Sequence, residues 1–237
     1  MVDLKRVAVG VSKRVLSSQG VRQELRDTAT ALKRVAQLSV SHARRDRSLA
    51  NVQGDNLLIN LGAGALQDSR WINVDIEPKN GAYFADLRDP LPLRDGSVRH
   101  IHCEHFLEHL EYFYAKKFLG ECRRVLGDGG SMRIIVPDAE KYIRAYAAGD
   151  RAFFDRLRDL GNPGEPFRTP IEVINQMFDM CGSHRFGWDF ETLELAVREA
   201  GFARIERSQR NGVAPDLCLD GDDWWREAES LYTNLYK

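Results

Sequence analysis

Short apolar runs separated by polar turns dominate the chain from residue 57 onward. Continuous apolar runs of this length, bounded by turn residues, are typical of strands buried on both faces of a sheet. The five clearest runs predict strands at residues 57–61, 71–75, 82–86, 98–103 and 131–136. Two later runs predict strands near residues 203–209 and 229–236.

Helical spacing separates several of these runs. Apolar residues between Glu104 and Leu126 recur every three or four positions and predict one helix, which residues 127–130 end with a glycine-rich turn into the next strand. Asp189 is expected to cap a helix that ends at Gly201. Strands alternating with helices predict an α/β protein, with a mostly parallel, Rossmann-like sheet covered by helices on both faces.

The first 50 residues differ in charge from the rest. They hold eleven Lys and Arg against four Asp and Glu, although the whole chain of 237 residues has a net charge of −1. Apolar residues follow helical and then heptad spacing, from Leu4 to Val35. We therefore expect a basic, amphipathic helical extension over residues 1–50 that packs on the domain, over residues 51–237, or on a second subunit in a homodimer. Contact with an anionic membrane or a nucleic acid is the alternative.

A glycine turn follows the first strand. Gly62 and Gly64 allow a sharp turn and a close approach of the backbone to a ligand. A dinucleotide site requires a third glycine, where Gln67 stands, and an acidic residue about 20 positions later. Here Asp75 follows Gly64 by only 11 positions. This spacing disfavours NAD and suits a cofactor without phosphate, with Asp75 accepting from ribose hydroxyls and Asp86 from an adenine amino group.

An ordered series of motifs extends from this turn. It runs through LGAG at 61–64, WINVD at 71–75, ADL at 85–87, EHFLEHL at 104–110 and IIVPD at 134–138. The series resembles the class I S-adenosylmethionine-dependent methyltransferases of the small type 11 kind. The resemblance implies S-adenosylmethionine as cofactor and S-adenosylhomocysteine as product. It also implies a set of cofactor-binding residues: Asn60, Leu61, Gly62, Ala63, Gly64, Asp75, Ile76, Asp86, Leu87, Glu104 and His105. Two departures are Asn60, where the family has an acidic residue, and the missing third glycine.

The segment from residue 138 to 187 is longer than a connection needs. It combines a helical portion, a Pro- and Gly-rich loop over residues 161–170, and a helix near residues 171–180. It follows the carboxyl end of the fifth strand, where ligands bind in such sheets. We therefore expect an inserted cap that binds the methyl acceptor.

Three residues are candidates for catalysis. His184 is the first candidate for the base that removes a hydroxyl proton, because histidine titrates near neutral pH; the alternative is a structural histidine bonded to a loop carbonyl. His105 follows the fourth strand directly. Asp138 is expected to bind acceptor hydroxyls or a divalent ion, or to cap the next helix.

Three further residues are candidates for acceptor binding. Tyr142 and Trp188 are expected to stack on a sugar or aromatic acceptor, and Arg185 to contact it; packing is the alternative for both rings. His105, Glu108 and His109 also match the inverted zinc-protease pattern H-x-x-E-H. We do not expect a protease, because the pattern lies within the methyltransferase motifs, and the need for a divalent metal stays open.

These observations favour O-methylation of a hydroxyl on a sugar, a glycan or another small molecule. The alternatives are an RNA or protein methyltransferase guided by the basic N-terminal region, and a non-catalytic cofactor-binding protein. The fourth strand lacks the motif that amino-group methylases of bases use, so a nucleic-acid acceptor is not expected. Four cysteines without a Cys-x-x-Cys pair, and the lack of a long apolar stretch, predict a cytoplasmic protein without a membrane span.

Overall fold

A computed structural model of the chain describes residues 48–77, 81–160 and 166–237. The helices and the dimer contact predicted for residues 1–50 therefore lie outside the described residues, except for positions 48–50. Half of the predicted loop over residues 161–170 lies outside them too.

Seven strands form one sheet in the order β3-β2-β1-β4-β5-β7-β6. The strands are β1 (Leu57–Leu61), β2 (Ile72–Asp75), β3 (Tyr83–Phe84), β4 (Val98–Glu104), β5 (Leu126–Pro137), β6 (Arg204–Arg207) and β7 (Ser230–Tyr236). Strands β1 to β5 are parallel, and β7 runs antiparallel to both β5 and β6. The carboxyl ends of β1 to β5 consequently share one edge of the sheet, and the first residue of β7 reaches the same edge. The predicted sheet is confirmed.

Six α-helices accompany the sheet in the described part of the chain. They are α1 (Tyr112–Val125), α2 (Ala139–Ala148), α3 (Arg151–Leu157), α4 (Pro170–Asp179), α5 (Phe190–Glu199) and α6 (Trp224–Glu229). The predicted cap of α5 is confirmed, because the Asp189 carboxylate accepts a hydrogen bond from the Thr192 amide at 2.8 Å. Gly201, with φ +87°, follows its end.

Two hydrophobic clusters stabilise these elements. In the larger one, Ile101 and Cys103 of β4 pack in a core with Phe118 of α1 and Leu193 of α5. A smaller cluster joins the three helices of the segment that follows β5, and its buried members are Ala139, Tyr142, Ala145, Phe153, Phe154, Leu157, Val173 and Met177. This segment has its own core and extends from the edge of the sheet where the parallel strands end.

The predicted helix over residues 104–126 is wrong in its first third. Strand β4 continues through Glu104, a 3-10 turn covers Leu107–His109, and α1 begins only at Tyr112. A 3-10 turn places apolar side chains at nearly helical spacing, so periodicity did not distinguish it from an α-helix. The predicted glycine turn at 127–130 instead lies within β5, beside a register shift against β4. Helix α6 was not predicted.

Candidate functional site

The glycine turn after β1 lies against the loop that follows β4. Gly62 has φ +72°, and a Cβ there would lie 2.6 Å from Cβ of Phe106. The Gly62 amide donates to the Val74 carbonyl at 3.0 Å. Gly64, at φ +50°, has open space where its Cβ would stand. One side of the turn is thus closed by Phe106, and the other leaves room for a ligand.

Asp75 ends β2 beside this turn. Its Oδ2 accepts from the Gly64 amide at 2.9 Å, and its Oδ1 accepts from the Glu77 amide at 2.7 Å. A carboxylate oxygen has two lone pairs, so each oxygen retains one for a ligand hydroxyl. Ile76 follows at the same strand end and is partly buried. The carboxylate fits the two hydroxyls of a ribose.

Asp86 follows β3, the next strand along the edge. Its carboxylate forms an ion pair with the Arg88 guanidinium and accepts from the Arg88 amide at 3.0 Å. Leu87 is buried, as are Leu61 and Ala63, so these three can offer only backbone atoms to a cofactor. The three predicted parts of the cofactor site therefore lie on neighbouring strand ends, β1 to β3.

Asn60 explains one departure from the family pattern. Its buried amide donates to the Leu66 carbonyl at 2.7 Å and to Oδ1 of Asn73 at 3.1 Å. Asn73 in turn donates to the carbonyls of Asp68 and Trp71. This amide chain fixes the connection between β1 and β2, which has no helix. The side chain of Asn60 therefore stabilises the glycine turn and the connection that follows it.

Glu104 ends β4 and is held by its own ion pair. Its carboxylate accepts from Arg226 at 2.6 Å, from the Gly221 amide at 2.9 Å, and lies 3.2 Å from Nε2 of His102. Burial would raise the pKa of Glu104, but the bonds to His102, Arg226 and Gly221 outweigh it and lower the pKa to about 2. Glu104 is therefore ionised, and it connects β4 to α6.

His105 lies at the centre of an acid–base cluster. Its backbone adopts φ +49°, unusual for a residue with a side chain. Nε2 lies 2.9 Å from the Ser230 hydroxyl, and Nδ1 lies 3.3 Å from Oε1 of Glu108 and 4.0 Å from Oε1 of Glu229. Burial lowers the pKa of His105, but the Glu108 carboxylate raises it by more, and the net pKa lies above its usual value.

Glu229 closes the cluster from the side of β7. Burial raises its pKa, and its carboxylate accepts a hydrogen bond from the Tyr142 hydroxyl. The Trp225 ring meets the His105 ring edge to face at 5.3 Å between centroids. Because β7 is antiparallel, its first residue, Ser230, stands beside the end of β4.

His184 lies in a second group with Glu108 and His109. Its Nδ1 lies 2.6 Å from the Met177 carbonyl, as in the alternative that sequence left open, and burial lowers its pKa. The His109 and His184 rings are 4.8 Å apart between centroids. The structure therefore brings both His105 and His184 close to one buried carboxylate, Glu108.

The remaining candidates have three different environments. Asp138 caps α2, because its Oδ1 accepts from the Glu140 amide at 3.1 Å; burial raises its pKa. Tyr142 and Trp188 are 1% and 0% exposed, so neither ring offers a face to an acceptor, and packing describes both. Arg185 is exposed.

Sequence reasoning missed Glu229 and Ser230, and it considered Glu108 and His109 only as part of a protease pattern. That pattern was the visible signal for the last two. In the structure His105 is not on a helix with His109, because the chain between them forms a 3-10 turn. No local signal marks Glu229 or Ser230, since their position depends on the strand order.

Comparisons with known proteins give one family match and several structural neighbours. The model of the Methyltransferase domain family matches residues 19–134. A SAM-dependent methyltransferase from Archaeoglobus fulgidus is 14% identical, with a TM-score of 0.47, covering 86% of this chain and 94% of that one. One from Mesorhizobium loti is 14% identical, with a TM-score of 0.46, covering 78% of this chain and 92% of that one. One from Thermotoga maritima is 15% identical, with a TM-score of 0.44, covering 86% of this chain and 89% of that one. No curated protein matches.

The family match and the seven-stranded, mostly parallel sheet identify the chain as a class I S-adenosylmethionine-dependent methyltransferase. S-adenosylmethionine is its cofactor. When bound, the cofactor supplies an activated methyl group on a sulfonium, and the glycine turn, Asp75 and Asp86 would hold its adenosine. In the three described stretches, every helix is too short or too polar to cross a bilayer.

Proposed function

We propose that the chain transfers a methyl group to a hydroxyl of a sugar or another small polar molecule. The observation that carries this proposal is the position of His105. It follows β4 directly and precedes Phe106, which contacts the glycine turn of the cofactor site. A proton acceptor beside the methyl donor suits a hydroxyl, which must lose its proton as the new bond to carbon forms.

The contacts of His105 support the role of a base. A carboxylate beside Nδ1 favours the tautomer with the proton on Nδ1, which leaves a lone pair on Nε2. The Ser230 hydroxyl lies 2.9 Å from Nε2 and, with this tautomer, donates to its lone pair. We propose that an acceptor hydroxyl replaces Ser230 as the donor, since the His105 side chain is 14% exposed and Ser230 is 1% exposed.

The energetic contributions follow from this arrangement. The sulfonium is already a good leaving group, so most of the rate enhancement comes from placing the oxygen in line with the methyl carbon. Positioning of this kind contributes on the order of 7–11 kcal/mol in favourable cases. General-base assistance adds about 10²–10⁴-fold. We propose His105 as the base in preference to His184, because His184 contacts the Met177 carbonyl and the His109 ring, whereas His105 directly precedes Phe106 at the glycine turn.

We further propose that residues 138–187 form the cap that holds the acceptor. A cavity of about 450 Å³ lies on this segment. Its lining includes Tyr146, one helical turn beyond Tyr142, together with Arg151 and Phe154. Aromatic faces beside a guanidinium suit a sugar, whose C–H face stacks while its hydroxyls accept hydrogen bonds. An extended saccharide is therefore the acceptor class that these side chains favour.

The test is methyl transfer from labelled cofactor to a panel of saccharides, phenols, RNA and peptides. We expect label on a saccharide hydroxyl, released as a methyl ether after hydrolysis of the product. Label found only in RNA or only in peptide would overturn the choice of acceptor. Calorimetric binding of S-adenosylmethionine, measured alongside, shows whether an inactive sample still has its cofactor site.

A further inference from the structure

We propose that Glu108, His109 and His184 bind a divalent transition-metal ion. Each residue offers one ligand atom, and these atoms all lie within 4.8 Å of one another. The site joins the 3-10 turn after β4 to the end of the segment that follows β5. It differs from the protease pattern of the sequence, since His184 takes the place of His105.

The hydrogen bonds of both histidines favour metal binding. Nδ1 of His184 lies 2.6 Å from the Met177 carbonyl, and Nδ1 of His109 lies 3.1 Å from the Ser183 carbonyl and 3.0 Å from the Ser183 hydroxyl, which can accept from the same N–H. A carbonyl oxygen can only accept, so each Nδ1 carries the hydrogen and each Nε2 carries a lone pair. Metal-binding histidines are typically fixed in this way, by a carbonyl on the nitrogen that does not bind the metal.

Glu108 supplies the negative charge. The residue is 2% exposed, and within residues 48–77, 81–160 and 166–237 neither carboxylate oxygen receives a well-aligned hydrogen bond. Nδ1 of His105 approaches Oε1 to 3.3 Å, an ion-pair distance on one side of the carboxylate. Burying a carboxylate beside two nitrogen lone pairs is costly without a cation between them. The arrangement therefore calls for a positive charge among the three.

The ligand types select the class of ion. Two imidazoles and one carboxylate suit zinc and its neighbours in the first transition row, whereas magnesium and calcium prefer oxygen ligands alone. Tetrahedral zinc, with bonds of about 2.0–2.1 Å, separates its ligands by roughly 3.3 Å. Side-chain rotations that move the ligand atoms by ~1.5 Å would reduce their present separation of up to 4.8 Å to this value. Three protein ligands leave one position for water, and half-buried His109 provides the path of entry.

Backbone hydrogen bonds hold the ligands in place before any ion arrives. The Glu108 carbonyl accepts from the amides of Arg185 and Phe186, at 2.7 and 3.2 Å. The His184 amide donates to the Asp179 carbonyl at 3.0 Å. The two chain segments are thus already paired at this point, so binding the ion requires little further ordering, and the ion fastens the end of the cap segment to the sheet.

The test uses the full chain, freed of purification tag and of metal, without cofactor or acceptor. We expect one zinc ion per chain by calorimetry and metal analysis, a rise in melting temperature on adding zinc, and a visible spectrum on adding cobalt. His184→Ala and the nearly isosteric Glu108→Gln should weaken zinc binding on the order of 100-fold or more, since even loss of a residue behind a ligand costs about 10–100-fold. Cys181→Ser, which removes an exposed thiol three positions before His184, should bind zinc as the wild type does.

X-ray absorption of the zinc-loaded wild type serves as a measurement that needs no folded variant. Nitrogen and oxygen neighbours with imidazole scattering support the site, and sulfur neighbours overturn it. If the wild-type chain takes up no zinc at micromolar concentration, the metal site is also overturned. The positive charge beside Glu108 is then a proton shared among the three side chains. These results do not test the proposed methyl transfer, which is measured separately.

Discussion

The Nε2 atom of His105 lies 2.9 Å from the hydroxyl of Ser230, although 125 positions separate the two residues in the chain. The contact exists because β7 runs antiparallel to β5, so that its first residue arrives where β4 ends. A single histidine is thus placed among groups from three parts of the chain. Glu108 lies three positions later in the chain, Ser230 begins the last strand, and Glu229 ends the helix before that strand.

Replacing His105 tests the proposed base. His105→Asn should lower the rate of methyl transfer about 10²–10⁴-fold, because the hydroxyl loses its proton acceptor. Cofactor affinity, measured by calorimetry, should stay within about threefold of the wild type, since the ring's contacts are with Glu108 and Ser230 rather than the glycine turn. Ser230→Ala, the matched control, should retain most of the rate. A rate for His105→Asn equal to that of the wild type would remove it from this role.

Asp75 tests the cofactor site. At a cofactor concentration about 100 times its dissociation constant, binding stabilises a folded protein by about 2.7 kcal/mol. We expect a clear rise in wild-type melting temperature and none for Asp75→Ala, which loses the acceptor for the ribose hydroxyls. Asp128→Ala, an exposed carboxylate in the amino-terminal part of β5, should show the wild-type shift. Equal shifts in both variants would contradict the site.

The two glycines of the turn form a natural pair for comparison. Alanine at either position meets a positive φ, which costs roughly 1–2 kcal/mol. At Gly62 the new Cβ would also collide with Phe106, adding about 1–3 kcal/mol, whereas at Gly64 it enters open space. Urea denaturation should therefore show a larger loss of unfolding free energy for Gly62→Ala than for Gly64→Ala. Equal losses would mean that Phe106 does not close the turn.

The ionisation of Glu104 makes the free energy of unfolding depend on pH in the acidic range. Its pKa of about 2 lies below the value of about 4.3 in an unfolded chain. The depressed pKa contributes stability that is present above pH about 4.3 and disappears as the pH falls toward 2, in all about 3 kcal/mol. Glu104→Gln should therefore lower stability at neutral pH and flatten its decline below pH about 4.3. Glu194→Gln, in an exposed pair with Arg198, should change the free energy of unfolding by less than about 0.5 kcal/mol, both at neutral pH and in acid. A steep acid decline in Glu104→Gln would assign the effect to other carboxylates.

Two errors of the sequence predictions fall at the edge of the sheet where ligands bind. The apolar spacing from Phe106 to Leu110 continued that of α1, so one helix was expected where a strand end, a 3-10 turn and a helix follow one another. His105 interrupts the pattern with a positive φ that no periodicity reveals. Tyr142 looked like an acceptor contact, but a helix packed behind it buries the ring.

The sequence by itself determined the strands, the glycine turn, Asp75 and the cap at Asp189, because each depends on residues close in the chain. Burial periodicity, permitted φ values and helix capping are local properties. Tertiary structure alone decided which charged groups meet: His105 with Ser230, Glu104 with Arg226, and Glu108 with His184. Strand order and the path of the inserted segment bring these pairs together, and neither leaves a repeating signal in the sequence. The methyl donor could therefore be predicted from one stretch of chain, whereas the proposed proton acceptor and the proposed metal site required the fold.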